Sequence, residues 1–202
     1  MKSGLKEKME VNQFKPLNLE EQKYLLKLAR ASLVNYLKPG EKFPPPLNTP
    51  GLQQTLGAFV TLHSGTELRG CTGYITSEKP LPETIKIMAV TAASKDPRFP
   101  PVSLPELPHI EIEISVLSPL KKIMQLDEIE IGRHGLLVSR PPVRGLLLPQ
   151  VATELGWDRQ TFVERTCWKA GLPSDAYREE DVELFVFSAQ VFDEKLLSET
   201  EK

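Results

Sequence analysis

Between His109 and Ser118 apolar and polar residues alternate without a break. Ile110, Ile112, Ile114 and Val116 fall on one side of an extended chain, and Glu111, Glu113 and Ser115 fall on the other. Such a strand has one buried face and one polar face. That favours an antiparallel-rich mixed sheet with flanking helices, an α+β fold, over a doubly wound βαβ fold. Gly57–Leu62 and Glu67–Ile75 read as two further strands around a His63-Ser64-Gly65-Thr66 hairpin turn. Leu136–Ser139 and Leu146–Leu148 are short strands flanking the loop Arg140–Gly145. Val182–Phe192 alternates as a closing strand. Three helices are expected between them. The first starts at Asn18 with Glu21 three residues on, a capping box, and stops at Lys38-Pro39-Gly40. The second has Pro82 in its first turn, and the third starts at Asp158 and ends at Gly171. Residues 1–17 read as a mobile arm, 18–195 as the folded domain and 196–202 as a polar tail.

The chain has 202 residues, 40% of them hydrophobic and 26% charged, which is the balance of a soluble globular protein. A formal net charge of −2 gives no global field to attract nucleic acid or an anionic membrane. No apolar run approaches the roughly 20 residues of a membrane span, and Met1–Val11 lacks the apolar core of a signal peptide. A cytoplasmic protein is the expectation. The 18 prolines cluster in Pro44–Pro46, Pro97–Pro108 and Pro141-Pro142, as stiff loops that can wall a site. Cys71 and Cys167 lie too far apart to form a disulfide framework or a zinc motif, so no metal is expected.

The segment Leu68-Arg69-Gly70-Cys71-Thr72-Gly73 carries the chemistry. On an extended strand Arg69 and Cys71 share a face, and a guanidinium beside a thiol favours the reactive thiolate. Gly70 and Gly73 leave room for the close approach of a backbone or a ligand. Cys167, on the apolar stripe of the third helix, reads as core. His134 sits between Gly132 and Gly135 on a turn that either presents it to a cleft or leaves it at the surface. Gln150, Thr153 and Glu154 share one side of a helical turn, where Glu154 is either a base or an ion-pair partner. Cys71, His134 and Glu154 form the candidate catalytic set. Arg69, Gly70, Gly73, Arg98 and Gln150 form the candidate ligand-binding set. Arg133, Arg140 and Arg144 make a basic loop with no interleaved aromatics, which argues against a nucleic-acid platform. No dinucleotide, nucleotide-phosphate, nucleophile-elbow or zinc-protease motif occurs, and no cofactor is expected.

Several stretches together resemble the AMMECR domain family. They are Leu68–Gly73, Asp96-Pro97-Arg98-Phe99, Glu111–Leu117, Gly135-Leu136, Leu147–Ala152, Cys167–Leu172 and the tail from Phe187 to Glu194. Thr72 and Tyr177 depart from the expected isoleucine and tryptophan. The resemblance implies two unequal lobes with a cleft lined by the Arg-Gly-Cys strand. It also implies partnership with a Memo-like protein and a radical S-adenosylmethionine protein. It assigns no reaction. Three functions stay open: a cleft that binds or transforms a small anionic organic ligand, a protein-interaction module, and a nucleic-acid-associated protein.

Overall fold

The computed structural model describes residues 14–198. Its strands form two four-stranded sheets, and every strand pair is antiparallel. The larger lobe contains α1 (Leu19–Leu37), β1 (Ala58–Ser64), β2 (Glu67–Tyr74), α2 (Leu81–Ser94) and β3 (Ile110–Leu117). The chain then crosses to the smaller lobe. That lobe holds β4 (Lys121–Ile123), β5 (Gly135–Arg140), β6 (Val143–Leu147), α3 (Pro149–Glu154), α4 (Arg159–Lys169) and β7 (Glu183–Phe187). It returns to add β8 (Ala189–Asp193) to the first sheet and ends in the short α5 (Lys195–Ser198). The strand orders are β2-β1-β3-β8 and β4-β7-β5-β6.

Local chemistry explains most element ends. Asn18 accepts a hydrogen bond from the Glu21 amide, and the Glu21 carboxylate accepts one from the Asn18 amide. Asp158 caps α4 by accepting from the Thr161 amide at 2.8 Å. The hairpin turn shortens to Gly65-Thr66, so His63 lies on β1 rather than in a turn. The loop expected at 140–145 shortens likewise to Pro141-Pro142, because β5 and β6 pair as far as Arg140 and Val143.

The expected closing strand Val182–Phe192 is two strands, parted at Ser188. Its first half joins the small sheet and its second half joins the large one. The parting is fixed by Ser118, at the other crossing between the lobes. The Ser118 amide donates to the Ser188 carbonyl at 2.9 Å, and the Ser188 amide donates to Ser118 Oγ at 2.9 Å. Alternation cannot show this break, since both halves bury one face.

Each lobe has its own apolar cluster. Leu25, Leu28, Leu62, Ile85, Ile112 and Ile114 lie in the larger, and Leu136, Val138, Phe162, Val163 and Cys167 in the smaller. Residues 1–13 lie outside the described residues, but Phe14 packs on the larger cluster and Leu17 is buried, its backbone paired with the Gln190 side chain. At the other end Leu196 and Leu197 pack on the same cluster, so the folded part runs past 195. Among the described residues no helix is long and apolar enough to cross a membrane.

Candidate functional site

Helices α1 and α2 cover one face of the large sheet. The ladder registers place Thr61 and His63 of β1, Cys71 of β2, Glu113 and Ser115 of β3, and Val191 and Asp193 of β8 on the other face. The small lobe stands over part of this face. Gln150, Thr153 and Glu154 of α3 meet Ala189 and Val191 across a groove of about 310 Å³.

At Cys71 the side-chain thiol accepts a hydrogen bond from Thr61 Oγ1 at 3.3 Å. Its backbone is gripped from outside the sheet. The Cys71 amide donates to Asp96 Oδ2 at 2.8 Å, and an Arg98 terminal nitrogen reaches the Cys71 carbonyl at 3.4 Å. Asp96 and Arg98 are themselves bridged, by Nε to Oδ1 at 2.9 Å and by a terminal nitrogen to Oδ2 at 2.6 Å. This pair stands where a further strand would pair with the β2 edge. The Arg98 guanidinium holds the Asp96 carboxyl well below the usual carboxylate range, helped by the Cys71 and Arg98 amides.

Arg69 does not lie against the thiol. Its Nε donates to Glu106 at 2.7 Å, and its terminal nitrogens donate to the Pro100 and Pro101 carbonyls. Glu106 is held down to about 2 by that bond and by Ser103. The expected activation of Cys71 by Arg69 is therefore corrected. Burial pushes the thiol up, and the Asp96 and Glu113 charges push the same way. The Thr61 bond and the Arg98 charge pull it down without cancelling the rise.

Glu113 is the residue that sequence reasoning missed. It is half-buried at the sheet centre and makes no hydrogen bond or ion pair with another described residue. Burial pushes its carboxyl up, His63 pulls it down, and Asp193 and Glu154 push it up further. The alternation of β3 placed Glu113 on a polar face, but alternation alone does not show that a second lobe stands over part of that face.

Residues 26–192 match the family model described as AMMECR1. The chain belongs to the AMMECR1 family. It is 46% identical over 188 residues to a protein of Methanopyrus kandleri, covering 89% of this chain and 91% of that relative. It is 43% identical over 183 residues to one of Pyrococcus horikoshii, covering 85% and 89%. The crystal structure of the uncharacterized protein PH0010 from Pyrococcus horikoshii matches with a TM-score of 0.78 at 40% identity. That match covers 85% of this chain and 90% of the other.

In this AMMECR1 domain the three residues of the expected catalytic set lie on β2, on the turn before β5 and at the end of α3. His134 closes its own turn, its Nδ1 accepting from the Glu130 amide at 3.1 Å. Glu154 lines the groove from α3, while Cys71 and Glu113 flank Thr61 on the large sheet, two strands apart. Gln150 lines the groove beside Glu154. The room at Gly70 and Gly73 is taken by the protein itself. A side chain on Gly70 would strike the Ala92 carbonyl of α2, and one on Gly73 would strike the Phe59 ring. In the basic loop Arg133 pairs with Glu130, and Arg140 with Glu179 and Asp181. Thr72 donates to the Met88 carbonyl on the α2 side, away from Cys71. The Tyr177 ring packs on the smaller cluster, and Cys167 is fully buried there.

Alkylation of Cys71 by iodoacetamide, followed by residue-level mass spectrometry across pH, has an expected midpoint above the ~8.5 of a free cysteine. Arg98→Ala moves it higher still, because the one cation that favours the thiolate is lost. A midpoint below that of free cysteine would show that contacts outweigh burial.

Proposed function

We propose that this AMMECR1 protein acts in the cytoplasm and holds a small polar organic molecule in the groove between its lobes. Glu113 is the group that bonds to the molecule or exchanges a proton with it. The observation that supports this is the half-buried carboxyl of Glu113, which has no hydrogen-bond or ion-pair partner among the described residues, on a sheet face partly covered by the small lobe. Carboxyls are seldom left so unless a ligand completes them. Cys71 lies on the same sheet face, two strands away across Thr61, and Gln150 and Glu154 line the groove from the small lobe. The anion expected at Arg69 and Arg98 loses its support, because both guanidiniums already hold carboxylates. The Memo-like and radical S-adenosylmethionine proteins implied by the resemblance belong to the proposal as partners.

A mixed library of small polar fragments, screened by heteronuclear NMR, tests the reading. The expected result is saturable shifts at the Glu113, Gln150, Glu154 and Val191 amides, weakened in Glu113→Gln. A second reading, an interaction module, is favoured by a larger open groove of about 680 Å³ lined by Leu19, Tyr24, Leu47 and Pro44–Pro46. Shifts confined to that groove would replace the first reading with the second.

A further inference from the structure

We propose that the two chain crossings at Ser118 and Ser188 form a hinge on which the small lobe swings, opening and closing the groove. The motion stands or falls without a ligand. Its use for gripping one rests on the reading of the groove as a ligand site.

Each lobe is sealed by its own helices. Helices α1 and α2 pack on strands of the large sheet, α3 and α4 on strands of the small one, and the apolar clusters are separate. The ion pairs Arg30–Glu194 and Arg69–Glu106 stay inside the larger lobe, and Lys122–Glu183 and Arg140–Asp181 stay inside the smaller. Leu117 and Phe187 are buried but belong to neither cluster, and each stands one residue before a crossing serine. Units with separate cores move against each other unless a large apolar interface binds them.

The crossings themselves are clasped side by side. The Ser118 amide donates to the Ser188 carbonyl, and the Ser188 amide donates to Ser118 Oγ, both at 2.9 Å. Ser118 Oγ donates in turn to the Pro119 carbonyl at 3.3 Å. Two adjoining segments held in this way resist stretching and sliding, but they bend. Hinges are commonly such element ends.

There is also space to bend into. A cavity of about 240 Å³ lies between Ser118–Leu120 and the large-lobe residues Leu56, Gly57 and Ile75. The groove, of about 310 Å³, has Gln150 and Glu154 on one wall and Ala189 and Val191 on the other. Close-packed interiors leave few such voids, so neither space is a contact that motion has to break. The sheet face under the small lobe adds a reason to open. Ser115 on that face is 1% exposed, and its hydroxyl has no hydrogen-bond partner. An unpaired buried hydroxyl raises the energy of the closed arrangement, and water reaching that face relieves it.

Residual dipolar couplings of the backbone amides, measured on the full chain in a dilute aligning medium, read the motion. Amides of α1, α2, β1, β2 and β3 are fitted as one body, and those of α4, β5, β6 and β7 as another. The expected result is that each lobe fits this structure by itself, while the smaller aligns more weakly than the larger by more than the error of the fits. Ser118→Ala removes the hydroxyl from both of its bonds and widens the difference. Ser118→Thr keeps the hydroxyl and returns the difference to the wild-type value. Alignment of equal strength in one common frame overturns the hinge. An unchanged difference in a folded Ser118→Ala also overturns it, because the pivot then lies elsewhere. If Ser118→Ala does not fold, the wild-type comparison decides by itself. Fragment binding in the groove of a protein that aligns as one body removes the hinge and keeps the ligand reading. Unequal alignment with no binding in the groove keeps the hinge and removes the ligand reading.

Discussion

Asp96→Ala lowers the stability of this protein by about 3–4 kcal/mol, the sum of two or three charge-assisted hydrogen bonds with nothing to replace them. Asp96 is 4% exposed, and its carboxylate serves the Cys71 amide, the Arg98 amide and the Arg98 guanidinium at once. In a chain of this size the expected fall in Tm is about 6–16 °C. The damage is local before it is global. Hydrogen exchange at the Cys71 amide accelerates first, because that amide loses its acceptor at the edge of β2. Asp96→Asn keeps an acceptor for Cys71 but loses the charge, so its cost falls between wild type and Asp96→Ala.

The same residue sets part of the acid limit. Its folded carboxyl lies below the unfolded value of about 3.9, so its contribution is complete above that pH and fades as pH falls toward the folded value. Glu106, held down to about 2, adds to the same limb. Urea unfolding between pH 7 and pH 2 should therefore show a shallower acid decline in Asp96→Ala than in wild type. Equal slopes would mean that other carboxylates dominate acid unfolding.

The physics of Asp96 also shows where sequence reading reached its limit. Caps and periodicity are local, so Asn18 with Glu21, Asp158 and the alternation of β3 reveal their elements directly. Partner choice among charged side chains is not local. Arg69 and Cys71 do share a stretch of strand, yet the guanidinium extends away to Glu106, 37 residues on, because two proline carbonyls wait beside it. Asp96 and Arg98 were legible as a motif and as a loop, but not as the stand-in for a missing strand. Glu113 looked solvated because the crossing at Ser188, which brings the small lobe over β3, leaves no mark in the alternation. Of the expected site residues, Gln150 and Glu154 line one groove from α3, while Cys71 lies on β2 of the large sheet. The site was illegible where two lobes have to meet.

Phe162→Ala has the largest expected effect, about 3–5 kcal/mol, because a fully buried aromatic side chain leaves a cavity that its neighbours fill only in part. Phe162 sits on α4 against β5 and β6, with Leu136, Val138 and Val163 around it. The large lobe has a separate apolar cluster, and among the described residues the chain passes between the lobes only at Ser118–Leu120 and Ser188. Amide exchange should therefore quicken in β5 and β7 while β1 and β3 keep their protection. Equal loss of protection in both sheets would show that the lobes unfold as one unit. The consequence reaches the groove. Helix α3 belongs to the weakened lobe and carries Gln150 and Glu154, whereas Ala189 and Val191 of the groove wall belong to β8 of the lobe that stays folded. Binding in the groove should then fail at a lower temperature in Phe162→Ala than the unfolding of the large sheet, and the gap between the two measures how much of the site α3 supplies.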